Sequence, residues 1–408
     1  MKKRYLFPIA CVLIVALIMV IVIISGDKEQ KPSISIQDIE FSFTDNAKSL
    51  SGIHLCDNGF IQVSGEDLLT YTSFEHKASI TLCNRLDCGH NNEDCVAWFG
   101  TDNVNMVYYY NDKQYLVLES RLSTYSKPVL YVADADGSNR QKVISFDLFN
   151  SGASDYTCID NMLYMFLSDV DISSTLEEDD NGYFVEKPQT ISLVTYNLDT
   201  EEMNILKMFD SCYQQFYHIE AEYDGKIYFG YQYSTRPQED LYDENDMEIS
   251  EVHEEAFRMG VGCIDVSDEE QPVISIYEDS SVTFIGMDDE KIYWYKPDET
   301  EDYLPYKIYV YNVVSELTDD FMVNPDVPRS SITMANNKLF FNYWEEPGFA
   351  EYDLQTGKVV KYEGVDRYVV GEYNNYYLLS GVALNNHFSA YVEYDSLENK
   401  NEYIMLNN

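Results

Sequence analysis

One short unit recurs down this chain and limits what it can fold into. An Asn- or Asp-rich turn is followed at once by a run of aromatic and β-branched residues. The turns are Asp57-Asn58-Gly59, Asn111-Asp112-Lys113, Asp160-Asn161, Asp224-Gly225-Lys226, Asp289-Glu290-Lys291, Asn336-Asn337-Lys338 and Asn374-Asn375. The runs after them include Tyr115-Leu116, Ile227-Tyr228-Phe229, Ile292-Tyr293-Trp294 and Leu339-Phe340-Phe341. Such runs, bounded by Asp, Asn and Gly, read as strands joined by tight turns. A second signature follows in most units: LVTYNLDT from Leu193, IYVYNVVS from Ile308, FAEYDLQTG from Phe349 and YVEYDSLEN from Tyr391. Each is a strand ending in Asn or Asp before another turn and another strand. The opening turns are spaced by 54, 49, 64, 65, 47 and 38 residues. Four strands per unit at that period predict propeller blades. The expected fold is therefore all-β: a β-propeller of about seven blades, with six or eight also compatible, behind an N-terminal transmembrane helix.

Leu130 to Asn139 (LYVADADGSN) and Tyr223 to Phe229 (YDGKIYF) are the clearest copies of the unit. They resemble the repeats of TolB-like propellers and related bacterial extracytoplasmic propellers. The resemblance covers most of 51–408. It implies a partner-binding scaffold rather than an enzyme.

The first 26 residues stand apart. A basic start, Met1-Lys2-Lys3-Arg4-Tyr5, precedes Leu6 to Ile24, 19 residues without a charge. A cleaved signal has an apolar core of about 7–15 residues and a small-residue exit. This run is longer, and nothing like Ala-x-Ala precedes Gly26. About 18 or more apolar residues can span a bilayer, and the basic residues stay on the cytoplasmic side. The expected organisation is a single-pass signal anchor at 1–26, a juxtamembrane linker with a possible extra strand at 27–50, and a propeller at 51–408 outside a bacterial cell membrane. Net charge is −44. That excludes nucleic acid as a partner, because phosphate binding needs clustered Lys and Arg. A protein, peptide or glycan ligand outside the membrane remains.

The sharpest cluster is Cys83 to Cys95, CNRLDCGHNNEDC: Cys-x4-Cys-x-His-x4-Cys. It resembles a Cys-rich signature of propeller-type surface proteins of anaerobic Gram-positive bacteria. Two chemistries fit the residues. Three thiolates and an imidazole, from Cys83, Cys88, His90 and Cys95, complete a tetrahedral structural zinc site with no open position for catalysis. Outside the membrane, cysteines also form disulfides. Three cysteines cannot all pair locally, so that reading calls on Cys56 or leaves a free thiol. Cys158 and Cys263 lie within apolar runs and read as buried small side chains.

Two acidic insertions interrupt the repeat. Asp169 to Pro188 carries seven acids and one Lys, and Thr235 to Glu255 carries nine acids and one Arg. Glu177, Asp179 and Asn181 partly mimic a calcium loop, but the register fails at the first and twelfth positions. Asp243, Asp246 and Glu248 are as loose. Both insertions read as solvated acidic loops that offer a candidate binding face, and removal of Leu241–Glu251 is expected to leave stability unchanged. Strand parity places both, and the cysteine cluster, on one rim.

Enzyme signatures are sparse. There is no Gly-x-Ser-x-Gly and no phosphate loop, and a hydrolase domain is not expected after the last repeat. His253-Glu254-Glu255-Ala256-Phe257 opens like a zincin helix, but Phe257 stands where the second His is required. The residues favour a binding or scaffold module. The alternative is a propeller-type glycoside hydrolase or lyase acting on extracellular glycan, whose paired carboxylates need a fixed separation. The uncleaved anchor predicts that the full chain sediments with membranes and that external protease releases the ectodomain. A soluble mature protein beginning near Gly26 would identify a cleaved signal instead.

Overall fold

A computed structural model shows seven successive antiparallel sheets. Among residues 49–405 it describes all but a set of positions; the largest stretches left out are 121–126, 169–175, 179–183, 243–248, 267–272, 297–305 and 382–389, together with 1–48 and 406–408 at the ends. The sheets span 49–81, 102–145, 150–208, 213–279, 283–323, 330–363 and 367–405, and are called blades 1 to 7. Within each blade the four main strands pair in sequence order, and the first strands of successive blades lie side by side around the axis. This is a seven-bladed β-propeller. Blade 1 carries an extra two-residue strand, Ser49–Leu50, on its inner edge. Among the described residues no helix is long and apolar enough to cross a membrane. The expected anchor lies outside the described residues.

All seven turns found in the sequence fall between the first and second strands of their blades, as two-residue connections. Their composition follows from backbone geometry. Asn111 and Asp112 have φ of 49° and 58°, Asp224 and Gly225 49° and 74°, and Asn336 and Asn337 50° and 56°. Two left-handed residues in succession make a type I′ hairpin, whose twist matches that of the strands. Asn, Asp and Gly tolerate this conformation best. The second signature is an Asx cap. Asn197 Oδ1 accepts from the backbone N–H of Asp199 and Thr200 at 2.9 Å each. Asn312 does the same for Val314 and Ser315 at 3.1 and 2.7 Å. Asp353 does so for Gln355 and Thr356 at 3.0 and 2.7 Å. Each of these turns closes on one left-handed residue, Glu201, Glu316 or Gly357.

The core is divided among the seams. Seven apolar clusters fill the seven gaps between neighbouring blades. Cys158 and Cys263 are 0% and 2% exposed inside two of them, as the sequence implied. Buried His54 lies edge-on to Tyr108, 5.5 Å between centroids, and burial pulls its pKa down to about 3.

The seam between blades 7 and 1 closes the ring, and among the described residues no sheet is shared across it. Its buried cluster has six members, Ile53, Leu55, Phe60, Phe74, Leu378 and Tyr391, against thirteen in the seam between blades 2 and 3. Closure therefore depends on a few aromatic contacts. Phe74 stacks on Tyr376 at 4.4 Å and meets Tyr391 edge-on at 5.2 Å. The Tyr391 hydroxyl donates to the Ser73 carbonyl at 3.2 Å. Truncating a buried Phe to Ala typically costs about 3–5 kcal/mol. Phe74→Ala is expected to lower the unfolding free energy by about that much, read by denaturant titration. Phe209→Ala, in the seam between blades 3 and 4, should leave blades 7 and 1 protected from hydrogen exchange while Phe74→Ala exposes them. Equal protection of these blades in both variants would separate Phe74 from closure.

Candidate functional site

The cysteine cluster lies on a connection from the outer strand of blade 1, Ala78–Thr81, to the inner strand of blade 2, Asp102–Tyr110. The connection is a chain of tight turns. The N–H of Cys88 donates to Arg85 O at 3.3 Å, that of Cys95 to Asn92 O at 3.0 Å, and that of Trp98 to Cys95 O at 3.2 Å. Asn92 Oδ1 accepts from Asp94 N at 3.0 Å. His90 is left-handed at φ 50°, directly after Gly89. Trp98 folds over Gly100 so closely that a Cβ there would lie 2.3 Å from its ring.

These turns bring four side chains to one point. One ligand atom from each of Cys83, Cys88, His90 and Cys95 lies within 4.8 Å of every other. His90 Nδ1 and Cys95 Sγ are 3.3 Å apart. In a tetrahedral zinc site the sulfur and nitrogen ligands sit roughly 3.6–3.8 Å from one another. The donor set is therefore gathered close to tetrahedral size, and the cluster can hold a metal such as zinc. Cys56 is buried in the same apolar seam but is not one of the four. The His90 backbone N–H draws the Cys88 thiol below its ordinary pKa, whereas burial pushes Cys95 up to about 12.

The loop does not remain on a rim, as strand parity alone suggests. Its end descends into the seam between blades 1 and 2. Ala97 O accepts from Leu69 N at 2.8 Å, and Leu68 and Trp98 form a β-bridge, so the segment adds to blade 1. On the other side, the Arg140 guanidinium donates to Val96 O and lies over the Phe99 ring at 4.4 Å. Arg140 belongs to a turn of blade 2 at the opposite rim. Cys95, Ala97 and Phe99 are buried with Tyr109, Leu116 and Leu118. Parity fails here because the blades twist and the loop is long enough to follow the gap. Nothing in the sequence signalled Arg140.

The insertions behave as parity requires. One joins the second and third strands of blade 3 and the other those of blade 4. The first carries a small hairpin, Leu176–Glu178 with Phe184–Glu186. The second contains a 3-10 turn, Gln238–Leu241, and a helix α1, Ser250–Ala256. The strand Phe184–Glu186 lies against the 3-10 turn, so the two insertions meet on one rim. The backbone of Glu177 is in that hairpin; Asp179, Asn181, Asp243, Asp246 and Glu248 lie outside the described residues. The second insertion is not a plain solvated loop. Leu241 and Ala256 are 2% and 1% exposed, and Ile249 N donates to Leu241 O at 2.9 Å. Removing Leu241–Glu251 would thus remove buried contacts, and the expectation of unchanged stability is corrected. Phe257 begins a strand and stacks on His253 at 4.8 Å.

A charged cluster extends this rim. Tyr231 and Tyr233 both donate to Glu278 Oε2, at 2.9 and 3.3 Å. Arg258 approaches Glu278 at 4.0 Å, and Lys296 pairs with Asp279 at 2.8 Å. The acids here are already matched by bases and hydroxyls.

No protein-family model matches the chain, and no curated protein sequence matches it. Among solved structures, it is similar to a prolyl endopeptidase at 12% identity and TM-score 0.49, over 86% of this chain and 48% of that one. It is also similar to the propeller domain of the Trilobed protease from Pyrococcus furiosus, at 12% identity and TM-score 0.43, over 83% and 91% of the two chains. A third is an oligogalacturonate lyase in complex with manganese, at 10% identity and TM-score 0.44, over 78% and 74%. The chain spans about half the length of the prolyl endopeptidase it matches. No chemistry is carried over from likeness at this level.

Proposed function

We propose that this is a membrane-anchored, extracytoplasmic binding propeller whose insertion-bearing rim recognises a cationic protein or peptide. The observation that carries the reading is the meeting of the two insertions, Phe184–Glu186 against Gln238–Leu241, on one rim. By sequence the two insertions carry net charges of −6 and −8, and Glu239, Asp240, Glu251 and Glu254 are exposed on this rim. Long loops on a rigid ring are where recognition concentrates, and a field of one sign attracts and orients the opposite one. The TolB-like repeat residues support the same scaffold role.

The test neutralises exposed acids without touching Leu241: Glu239→Gln, Asp240→Asn, Glu251→Gln and Glu254→Gln together. Cytochrome c serves as the basic protein probe in calorimetry. Binding is expected to weaken about tenfold in the variant, and to weaken with salt in the parent as screening shortens the field. Unchanged affinity in the variant would move recognition off this rim. Release of reducing ends from polygalacturonate or peptidoglycan would favour the glycan-cleaving alternative.

The Cys83, Cys88, His90 and Cys95 cluster serves this role as a structural zinc site that pins the loop into the seam between blades 1 and 2. Purified protein is expected to carry about one zinc per chain, and chelation should lower the melting temperature, since a metal bound only by the native state stabilises it. Cys88→Ser should abolish both effects. A mass lower by two hydrogens, with reductant rather than chelator as the destabilising agent, would assign a disulfide instead.

A further inference from the structure

The rim opposite the insertions carries the two-residue opening turns, and at four seams neighbouring blades are tied together there; between blades 7 and 1 the tie is Lys77 with Glu393 at 3.9 Å. Tyr110 donates to Asp199 at 2.9 Å between blades 2 and 3. Tyr223 donates to Glu290 at 3.2 Å, and Lys226 pairs with Glu316 at 3.5 Å, between blades 4 and 5. Asn336 donates to the Tyr377 hydroxyl at 3.3 Å between blades 6 and 7. Between blades 5 and 6, among the described residues, no hydrogen bond or ion pair joins the turn at 312–316 to the turns at 336–337 and 353–357. The gap there opens into a groove of about 1240 Å³. That exceeds the roughly 300–1,000 Å³ of a small-molecule pocket.

The floor of the groove is one face of blade 5, read across three strands. Lys291 and Tyr293 lie opposite Asn312 and Val310, which lie opposite Leu317 and Asp319 in turn. Phe321 continues the outer row and contacts Tyr352 of blade 6, rings 6.5 Å apart and 21° from parallel. Apolar and acidic side chains line the same face, with Leu317, Asp319 and Phe321 alternating in one row. Leu317 is 69% exposed and neighbouring Val314 61%, in strand and turn positions that gain nothing from exposure. The acids lining the groove are Glu290, Asp319 and Asp320, against one lining cation, Lys291. Asp320 is matched by Lys307 at 3.1 Å, and Glu290 accepts from Tyr223. Asp319 accepts only the backbone N–H of Asp320 at 2.8 Å, which leaves most of its capacity facing the opening.

We infer that this groove is a second binding site, for a cationic peptide segment that seats an aliphatic side chain between Leu317, Phe321 and Tyr352 and directs a Lys or Arg to Asp319. Charge complementarity selects this occupant. A neutral glycan would stack on the aromatic faces and donate hydroxyls to Asp319, but it would leave the carboxylate charge uncompensated and the exposed aliphatic groups uncovered. The site is independent of the two insertions, since none of the residues lining the groove belongs to them.

The full chain in detergent is titrated, at about 0.15 M salt where the screening length is about 8 Å, with a fluorescein-labelled octapeptide alternating lysine and leucine. Saturable 1:1 binding is expected. Leu317→Lys and Asp319→Lys, both at exposed positions, should each weaken it at least tenfold. A lysine–glycine peptide of equal charge should bind at least tenfold more weakly than the lysine–leucine peptide. The four-fold insertion-rim variant should bind as the parent does. Equal binding of the two peptides, or unchanged binding by Leu317→Lys and Asp319→Lys, would overturn the proposal. Loss of binding in the insertion-rim variant would assign the peptide to that rim and overturn it too. Tighter binding of a neutral chito-oligosaccharide, sensitive to Leu317→Lys, would replace the peptide with a glycan.

Discussion

A ring must close, and among the described residues it closes through side-chain contacts rather than a shared sheet. The blades can exist as sheets through hydrogen bonds among neighbours in sequence, but the seam between blades 7 and 1 joins residues more than 300 positions apart, as in Tyr391 and Ser73. Bringing such ends together carries an entropic cost that only the contact itself offsets. Six buried residues supply it. The tyrosine content of the chain makes physical sense against this requirement. A Tyr ring packs in a seam like Phe, while its hydroxyl reaches a polar group on the next blade. Tyr391 does this at the closing seam, Tyr368 reaches the Tyr343 carbonyl between blades 6 and 7, and Tyr306 accepts from Ser330 N between blades 5 and 6. Seams are thereby fixed in register as well as filled.

The cysteine loop is best understood as part of a seam. A long irregular connection has few apolar residues of its own, and its backbone groups must still be satisfied. Its last turn meets that demand by pairing with Leu68 and Leu69 on one blade and accepting from Arg140 on the next. Of the four gathered donors, Cys83, Cys88 and His90 are half-buried and Cys95 is buried with the wedge.

What could be read from the chain follows a physical division. The turns were legible because Asn, Asp and Gly are required by left-handed backbone, a local property of one or two residues. Blade number and strand order followed from counting those turns. The four clustered donors were legible because spacing within a short loop confines them. Interactions set by how blades face one another were not. Arg140 gives no local sign that it will cover Phe99, and Leu241 looks like one apolar residue in an acidic loop until the 3-10 turn buries it. The groove between blades 5 and 6 was equally hidden, since it depends on ties between turns that the neighbouring seams have and that, among the described residues, this one does not show.

The seam without a shared sheet also bears on how such a chain arises. Among the described residues, each blade's four main strands come from one uninterrupted stretch of sequence. A tandem copying event in the gene that spans one opening turn to the next would therefore deliver a whole blade, with both of its apolar faces, in one step. The spacings of 38 to 65 residues fit blades that began alike and diverged in their loops. Among the described residues, the same arrangement means that a cut between two blades would sever no sheet.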